Sequence, residues 1–259
     1  MTYIIAVANE KGGVAKTTTT MSLGGALVEL GYEVLLIDLD AQANLTLGLG
    51  INPMNVRHSV ADMLLHAATL ISISKETSVA GLDIIPSNSE MGMAERFLPI
   101  RQNYEYLLKN IFLNSQNLPS YDFVLIDCPP SLGAVTANAL AAAQIVIIPT
   151  QPEYFSAHGL RNLMATIRHV RTHTNPDLAY NILITMMDRR NRIHRTLGEQ
   201  LRLTFKEGLL NTTIEVDTKL RESTVAGLPI THYTPRSRSA IQYRALAQEL
   251  IKNAEENTA

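Results

Sequence analysis

Two lysines and a threonine follow the first apolar run of the chain, in the segment NEKGGVAKTTT at residues 9–19. In the common phosphate-binding loop, G-x-x-x-x-G-K-[ST], the lysine reaches the β- and γ-phosphates and the hydroxyl binds Mg²⁺. Lys16 and Thr17 match the end of that pattern, but Glu10 and Ala15 replace its two glycines. Because the segment joins a predicted strand to a predicted helix, its free N–H groups and the positive helix end face one point. We interpret it as a phosphate-binding loop rather than a glycine-rich turn.

Small residues shape this loop. Gly12 and Gly13 let the main chain approach an anion with no Cβ in the way. Ala15 crowds the loop, but we expect it to enter the helix with an ordinary negative φ, which alanine accepts. The sequence therefore predicts a slightly altered loop that still binds phosphate.

Carboxylates follow two later apolar runs, LLIDLDAQANLT (35–46) and VLIDCPPSLG (124–133). Ligands bind at the carboxyl ends of the strands in doubly wound sheets, which is where Asp38, Asp40 and Asp127 are predicted to lie. Asp127 has the position of a carboxylate near a nucleotide-bound Mg²⁺. For Asp40 a second interpretation is a helix N-cap. Cys128 is interpreted as a small buried residue.

Strands and helices alternate along the chain. The predicted strands are 3–8, 33–40, 82–87, 121–130, 144–150 and 180–187. The predicted helices are 16–30, 58–67 with Ser59 as N-cap, 101–114, 136–143, 157–173, 194–206 and 237–253. The strands are apolar on both faces, so the fold class is α/β: a doubly wound, mostly parallel sheet with helices on both faces. We expect a single domain over residues 1–259.

The overall composition of the chain indicates the cellular compartment in which we expect the protein. One cysteine, no basic stretch at the start and no apolar run near the ~20 residues of a spanning helix favour a cytoplasmic protein without a membrane partner. The net charge of −2 is unevenly placed: residues 1–160 carry 7 Lys/Arg and 14 Asp/Glu, whereas 161–206 carry 9 and 3.

Most of the positive charge falls in MMDRRNRIHRTLGEQLRLTFK, residues 186–206. The cations there are Arg189, Arg190, Arg192, Arg195, Arg202 and Lys206. Contacts of this kind with phosphates give salt-dependent, non-specific affinity for nucleic acid. The alternative is a solvated charged face. His169 and His173 lie four apart on a predicted helix, but they lack a third metal ligand, so we expect no metal there.

Taken together, these segments resemble the ParA/MinD family of ATPases. KGGVAKTTT is similar to the deviant Walker A motif K-G-G-V-G-K-T-T, 38–44 to switch I (D-x-D-P-Q-x-N) and 127–130 to switch II (D-x-P-P). PTQPEYFSAHGL (149–160) and LRESTVAGLPI (220–230) resemble further blocks of the family. Five motifs in order cover nearly the whole chain. The resemblance implies a P-loop NTPase of the deviant Walker A type, with ATP and Mg²⁺ as cofactors.

The resemblance also implies roles. In an ATP-sandwich dimer Lys11 would reach the partner's phosphates, Lys16 would serve its own nucleotide, and Asp40 would position or activate the attacking water; these three are the predicted catalytic residues. Thr17, Asp38 and Asp127 are the predicted metal site. The predicted nucleotide-binding residues are Lys11, Gly12, Gly13, Val14, Ala15, Lys16, Thr17 and Thr18, together with Met187 at the edge of the adenine pocket.

Physical features separate the branches of the family. One cysteine cannot hold the iron–sulfur cluster of nitrogenase iron protein. The tail ELIKNAEENTA is not the basic amphipathic helix of a membrane-bound MinD. A first strand near residue 3 leaves no room for the helix-turn-helix of large ParA proteins. What remains resembles the small Soj-type ParA proteins, which bind non-specific DNA as an ATP homodimer.

That branch implies a ParB-like adaptor that stimulates slow hydrolysis, and association with the nucleoid in the ATP-bound form. It adds Lys219 and Arg221 to the predicted DNA-binding residues, and Arg236 and Arg238 could extend the surface. Three alternatives stay open: a ParA-type protein that positions another cargo, such as a microcompartment or a chemoreceptor cluster; a metabolic P-loop enzyme, such as a dethiobiotin-synthetase-like ligase or a small-molecule kinase; and a scaffold without hydrolysis.

Overall fold

The computed structural model describes residues 2–113, 121–153 and 156–256. Its strands are β1 (Tyr3–Val7), β2 (Val34–Asp38), β3 (Lys75–Glu76), β4 (Leu82–Ile85), β5 (Phe123–Asp127), β6 (Ile145–Thr150), β7 (Ala179–Met187) and β8 (Leu209–Glu215). They form one sheet in the order β3-β4-β2-β5-β1-β6-β7-β8, parallel except where β3 pairs with β4. The predicted doubly wound, mostly parallel sheet is confirmed.

The helices flank this sheet. They are α1 (Lys16–Glu29), α2 (Asn44–Gly48), α3 (Val60–His66), α4 (Leu70–Ile73), α5 (Met91–Phe97), α6 (Leu107–Leu113), α7 (Ala134–Ala142), α8 (Ser156–His173), α9 (Arg192–Phe205), α10 (Lys219–Val225), α11 (Ile230–Tyr233) and α12 (Arg238–Glu256). Short 3₁₀ turns cover Pro53–Asn55, Leu98–Ile100, Tyr104–Tyr106 and Lys206–Gly208. In the part of the chain that the structure describes, no helix is long and apolar enough to cross a membrane.

Alternate side chains of each strand pack on opposite faces. Ile4 and Ala6 belong to the hydrophobic cluster under α7 and α8, whereas Ile5 belongs to the cluster under α1 and α12. Each central strand is therefore covered twice, which explains why the sequence shows continuous apolar runs rather than alternation.

Several elements differ from the sequence-based expectation. β8 carries three consecutive polar residues, Asn211, Thr212 and Thr213, because it is an edge strand, and it was not predicted. The predicted helix at 101–114 is shorter, since Asn103 is left-handed (φ 56°) and the chain passes through a 3₁₀ turn before α6; residue 114 lies outside the described residues. Ser59 does cap α3, and Asp62 Oδ2 accepts from its N–H at 2.8 Å.

The register of the sheet determines where the polar residues meet. Asp127 at the end of β5 lies opposite Val7 at the end of β1 and Asp38 at the end of β2. Three chain segments that leave the sheet at this edge therefore begin side by side.

Candidate functional site

A cavity of about 920 Å³ opens at the carboxyl edge of the sheet. The loop after β1 and the start of α1 form one wall, the segment after β2 forms the second, and β8 with α10 forms the third. The residues of these walls that line it include Gly12, Gly13, Ala15, Lys16, Thr17, Thr18, Asp40, Gln42, Asn44, Met186, Glu215, Val216, Asp217, Thr218 and Arg221.

Lys16 points back into the loop that precedes it. Its side chain is largely buried, and Nζ donates to the carbonyl oxygen of Lys11 at 3.1 Å. Burial lowers the pKa of Lys16, against the opposing charges of Asp127 and Asp40. A desolvated ammonium at the N-terminal end of a helix is suited to a polyphosphate, which would supply negative charge.

Ala15 does not have the negative φ expected from the sequence. It is the N-cap of α1 in the left-handed conformation, with φ 69° and ψ 33°, and it gives the helix no side-chain cap. The turn from loop to helix requires this conformation, which glycine adopts freely and which is strained for alanine. Gly13 is also left-handed (φ 74°). The expectation for Ala15 was therefore wrong.

Lys11 stands at the exposed front of the loop. Its N–H donates to Asn9 Oδ1 at 3.0 Å, and Asn9 in turn donates to the carbonyl oxygen of Pro149 at 2.7 Å. The Lys11 ammonium forms an ion pair with Glu153 in the same chain. The family motif at 149–160 continues beyond Glu153, but residues 154 and 155 and the side chains of residues 156–159 lie outside the described part of the chain. Val14 is buried, and its carbonyl accepts from Thr185 Oγ1 at 3.0 Å.

Two acidic side chains are buried behind the loop. Asp38 accepts from the N–H of Asp40 at 3.1 Å and from Thr46 N and Oγ1 at 2.9 and 2.7 Å. Burial raises the pKa of Asp38 to about 6 despite the hydrogen bonds from Thr46. Burial, followed by the charge of Asp38, raises the pKa of Asp127, which the hydroxyl of Thr17 and the charge of Lys16 oppose.

One oxygen of Asp127 has no hydrogen-bond partner among the described residues. Oδ1 accepts weakly from Thr20 Oγ1 at 3.4 Å, whereas no described residue donates to the buried Oδ2. The described residues contain no group of three or more acidic, histidine or cysteine side chains that could hold a metal alone. A hydroxyl and one or two carboxylates are nevertheless the usual protein share of an Mg²⁺ site completed by phosphates and water. The donor set of Thr17 and Asp127 fits Mg²⁺.

Asp40 faces the cavity. Its Oδ1 accepts from the N–H of Gln42 at 2.9 Å, an interaction that closes a local turn. The N-cap of α2 is Ala43, so the alternative interpretation of Asp40 as a helix cap is wrong. The backbone carbonyl of Asp40 accepts from Ser87 Oγ at 2.7 Å, which fixes this segment to the end of β4.

The methionine that lines the cavity is Met186, not the predicted Met187. Met186, left-handed with φ 52°, lines it, whereas Met187 packs into the core toward α9. Met187 therefore does not border the cavity. Sequence reasoning from the residues alone also missed the wall formed by Glu215–Thr218, because β8 was not recognised. The family block at 220–230 was the one signal for it.

The predicted DNA-binding cations are exposed, but acidic groups pair with several. Arg189 and Arg238 both pair with Glu215, Arg190 with Asp188, and Lys219 with Glu222. Arg195 donates to the carbonyl oxygens of Arg189 and Arg190, and Arg202 to Thr213 Oγ1. Arg192 and Lys206 show no such contact among the described residues. Arg221 lines the nucleotide cavity rather than the outer face of the basic segment.

His169 and His173 stack against each other, with ring centroids 4.2 Å apart. Cys128 is buried, and burial raises its pKa. The burial of Cys128 agrees with its interpretation as a small buried residue.

Comparison with known proteins identifies the family. The family described as AAA domain matches residues 2–180. The sporulation initiation inhibitor protein Soj of Bacillus subtilis is 41% identical over 255 residues, which cover 98% of this chain and all of Soj. The chromosome partitioning protein ParA of Caulobacter vibrioides is 36% identical over 257 residues, covering 99% of this chain and 96% of ParA. This chain belongs to the ParA/MinD family of ATPases.

A solved structure with a different description is also similar. The cobyrinic acid a,c-diamide synthase from Mycobacterium smegmatis, with bound ATP analog and magnesium, superposes with a TM-score of 0.88 at 35% identity. The match covers 99% of this chain and 97% of that one. The structures similar to this chain therefore include a protein described as a metabolic enzyme.

The strain at Ala15 predicts a stabilising substitution. Ala15→Gly relieves the left-handed penalty of about 1–2 kcal/mol and adds about 0.5–1 kcal/mol of unfolded-chain entropy, a net gain near 0.5–1 kcal/mol. Urea unfolding measures it. Ala226→Gly is the control, because Ala226 has φ −76° and its replacement should destabilise. A loss of stability in Ala15→Gly would contradict the strain.

The buried Asp127, whose Oδ2 has no partner among the described residues, predicts a stability gain that depends on pH when its charge is removed. Because its pKa is raised in the folded state, ionised Asp127 lowers the free energy of unfolding. This loss of stability begins as pH rises above the unfolded pKa near 4 and is complete above the folded pKa. Asp127→Asn should therefore stabilise the ligand-free protein by about 1–3 kcal/mol at pH 8, and the gain should vanish toward pH 4.

Urea unfolding across this pH range provides the measurement. Asp122→Asn is the control, because Asp122 is an exposed carboxylate just before the same strand. A destabilised Asp127→Asn variant at pH 8 would show that the carboxylate is not strained by burial.

Proposed function

We propose that this chain is a partition ATPase of the ParA type, which dimerises on ATP, holds non-specific DNA in the ATP-bound form and releases it on hydrolysis. The observation that carries the proposal is that the two lysines of one loop occupy different positions. Lys16 is buried at the cavity wall, whereas the half-buried Lys11 at the front of the loop pairs with Glu153. A single active site with one nucleotide has no need for a second, outward lysine.

ATP and Mg²⁺ are the cofactors of this site. Family membership and neighbours solved with an ATP analog or ADP and magnesium support them. When bound, Mg²⁺ neutralises charge that develops on the phosphates. Thr17 and Asp127 would hold it, while Asp38, whose oxygens already accept hydrogen bonds, supports the neighbouring segment.

Hydrolysis requires an oriented water opposite the leaving phosphate. Asp40 is an acidic group of the cavity wall formed by the segment after β2, and its backbone is held on both sides by Asp38 and Ser87. It would orient or deprotonate that water, while Lys16 and the partner's Lys11 stabilise the charge on the transferred group. Because the site is complete only in the dimer, slow turnover in the absence of a stimulating partner follows.

DNA binding rests on the basic segment of 186–206. Arg192 and Lys206 are exposed and free of acidic partners among the described residues, so they can meet phosphates without first breaking an ion pair. A dimer doubles the number of such contacts, which makes the affinity depend on ATP through mass action. A ParB-like adaptor that stimulates hydrolysis would then release the DNA. The cargo is a chromosome or plasmid, or in the alternative another large assembly.

The second candidate is a metabolic ligase. It is favoured by the neighbour described as cobyrinic acid a,c-diamide synthase. A ligase of that kind has no use for cations that bind DNA, so an ATP-dependent DNA complex separates the two.

Asp40→Ala should trap the ATP state. Loss of the group that orients the water should reduce hydrolysis by about 10²–10⁴-fold while leaving the phosphate loop intact. The variant should therefore stay dimeric and DNA-bound with ATP and Mg²⁺, as seen by sedimentation and mobility shift. Lys16→Ala, which cannot bind ATP, is the negative control. A monomeric Asp40→Ala with ATP bound would exclude the proposed role.

Glu153→Gln should favour the dimer. To reach a partner's phosphates, Lys11 must leave Glu153, and a partly exposed ion pair contributes about 0.2–1 kcal/mol. Two such pairs open in one dimer, so the dimerisation constant at saturating ATP should rise about two- to thirtyfold.

Sedimentation velocity with ATP and Mg²⁺ measures this constant. Glu10→Gln is the control, since Glu10 lies on the same loop but contacts Asn162 instead. A weaker Glu153→Gln dimer would mean that the ion pair supports the active form.

Arg192→Glu should weaken DNA binding without weakening the dimer. Two phosphate contacts are lost per dimer, so the slope of log K against log salt should fall by about two. Mobility shifts at a series of salt concentrations measure the slope, and size exclusion checks the dimer. Arg57→Glu makes the same charge change at another exposed site. Equal loss in both variants would place the DNA surface elsewhere.

A further inference from the structure

Glu95, on α5, holds the beginning of α7. Its Oε1 accepts from the N–H of Ala134 at 3.0 Å and its Oε2 from the N–H of Val135 at 3.1 Å. The N-cap of α7 is Gly133, which has no side chain to satisfy these donors. Glu95 therefore supplies from a distant helix the acceptor that a local cap usually provides, and its charge meets the positive helix end.

Gly133 is required for space rather than for conformation. Its φ of −86° and ψ of −159° are open to any residue. A Cβ at this position would lie 1.5 Å from Oε1 of Glu95 and 2.8 Å from its Cδ. Alanine there would displace the Glu95 carboxylate without straining the backbone.

The chain just before α5 holds the first catalytic segment, defined as residues 38–46. Ser87 Oγ donates to the carbonyl oxygen of Asp40, and Ser87 N–H donates to Thr46 Oγ1 at 2.9 Å. Thr46 in turn donates to Asp38. Three residues separate Ser87 from the start of α5.

α7 begins directly after the second catalytic segment, defined as residues 127–133. Thr136 Oγ1 donates to the carbonyl oxygen of Ser131 at 2.6 Å, so the first turn of the helix and this segment move together. Pro130 of the segment lines the nucleotide cavity. A shift at the beginning of α7 is thereby transmitted to the cavity wall.

We propose that Glu95 is a positioning residue that couples the two catalytic segments, so that the site becomes competent for hydrolysis only when both are placed. The proposal rests on the ATPase function proposed above. Two charge-assisted hydrogen bonds link α5 to the beginning of α7. ATP binding at the loop of residues 12–18 does not need this connection. Hydrolysis does, because it requires both Asp40, which would orient the water, and Asp127, which would hold Mg²⁺.

Glu95→Gln tests the coupling. Glutamine has one acceptor oxygen, so one of the two N–H groups would face an amide N–H₂. We expect the single-turnover rate of hydrolysis at saturating ATP and Mg²⁺ to fall about tenfold, with the Kd for ATP within about threefold of wild type. Glu90→Gln is the control, because Glu90 is exposed at the start of the same helix. Equal losses in ATP binding and rate would overturn the proposal.

Gly133→Ala tests the same contact by steric displacement. It should lower the rate in the wild-type background and have little further effect in Glu95→Ala, in which the carboxylate is absent. Additive effects in the double variant would overturn the coupling through this contact.

Hydrogen exchange separates this proposal from the ATPase function. With ATP and Mg²⁺, the amides of residues 12–18 and those of residues 128 and 131–133 should both gain protection in wild type, and only the first group in Glu95→Gln. This readout holds even if wild-type hydrolysis proves absent, which would refute the proposed function alone. Protection of both groups in Glu95→Gln would overturn the coupling.

Discussion

Two carboxylates buried side by side constrain the rest of the site. Asp38 and Asp127 end neighbouring strands in direct register, and parallel strands lie about 4.8 Å apart. Folding removes both from water, which raises the pKa of each, and the charge of Asp38 further raises the pKa of Asp127. Lys16 balances part of this charge, but it is itself partly desolvated. The site is therefore most stable when a divalent cation and a polyphosphate complete it, which makes nucleotide binding a consequence of the fold's own electrostatics.

The parallel sheet explains how segments far apart in the sequence meet at one site. The segments that follow its strands begin at the same edge of the sheet, so one loop brings Lys16 to the cavity and two others bring acidic side chains. Ser87, which donates to the carbonyl oxygen of Asp40, and Glu95, which accepts from the N–H of Ala134, then attach these loops to each other through α5. The strained Ala15 also helps to form the site, because its left-handed conformation turns the chain into α1 at the cavity wall.

Local pattern predicted those features that depend on neighbours in the sequence. Buried strands appear as apolar runs, and the carboxylates follow them because the strands end there. Features that depend on distant contacts were not predictable. The polar edge strand β8 lacks the apolar signal, and adjacent residues of a strand face opposite sides, so choosing Met186 over Met187 required the register. The pairing of Arg189 with Glu215 and of Glu95 with the N–H groups after Gly133 spans 26 to 40 residues and leaves no local pattern.

In the proposed function, ATP converts this protein into a DNA-binding dimer. A mobility shift with arbitrary duplex DNA is the decisive experiment, comparing no nucleotide, ADP with Mg²⁺ and ATP with Mg²⁺, at low and high salt. We expect a shift with ATP alone, which disappears as salt rises because phosphate contacts dominate the affinity. No shift under any condition, with ATP binding intact by calorimetry, would contradict it and favour the metabolic ligase.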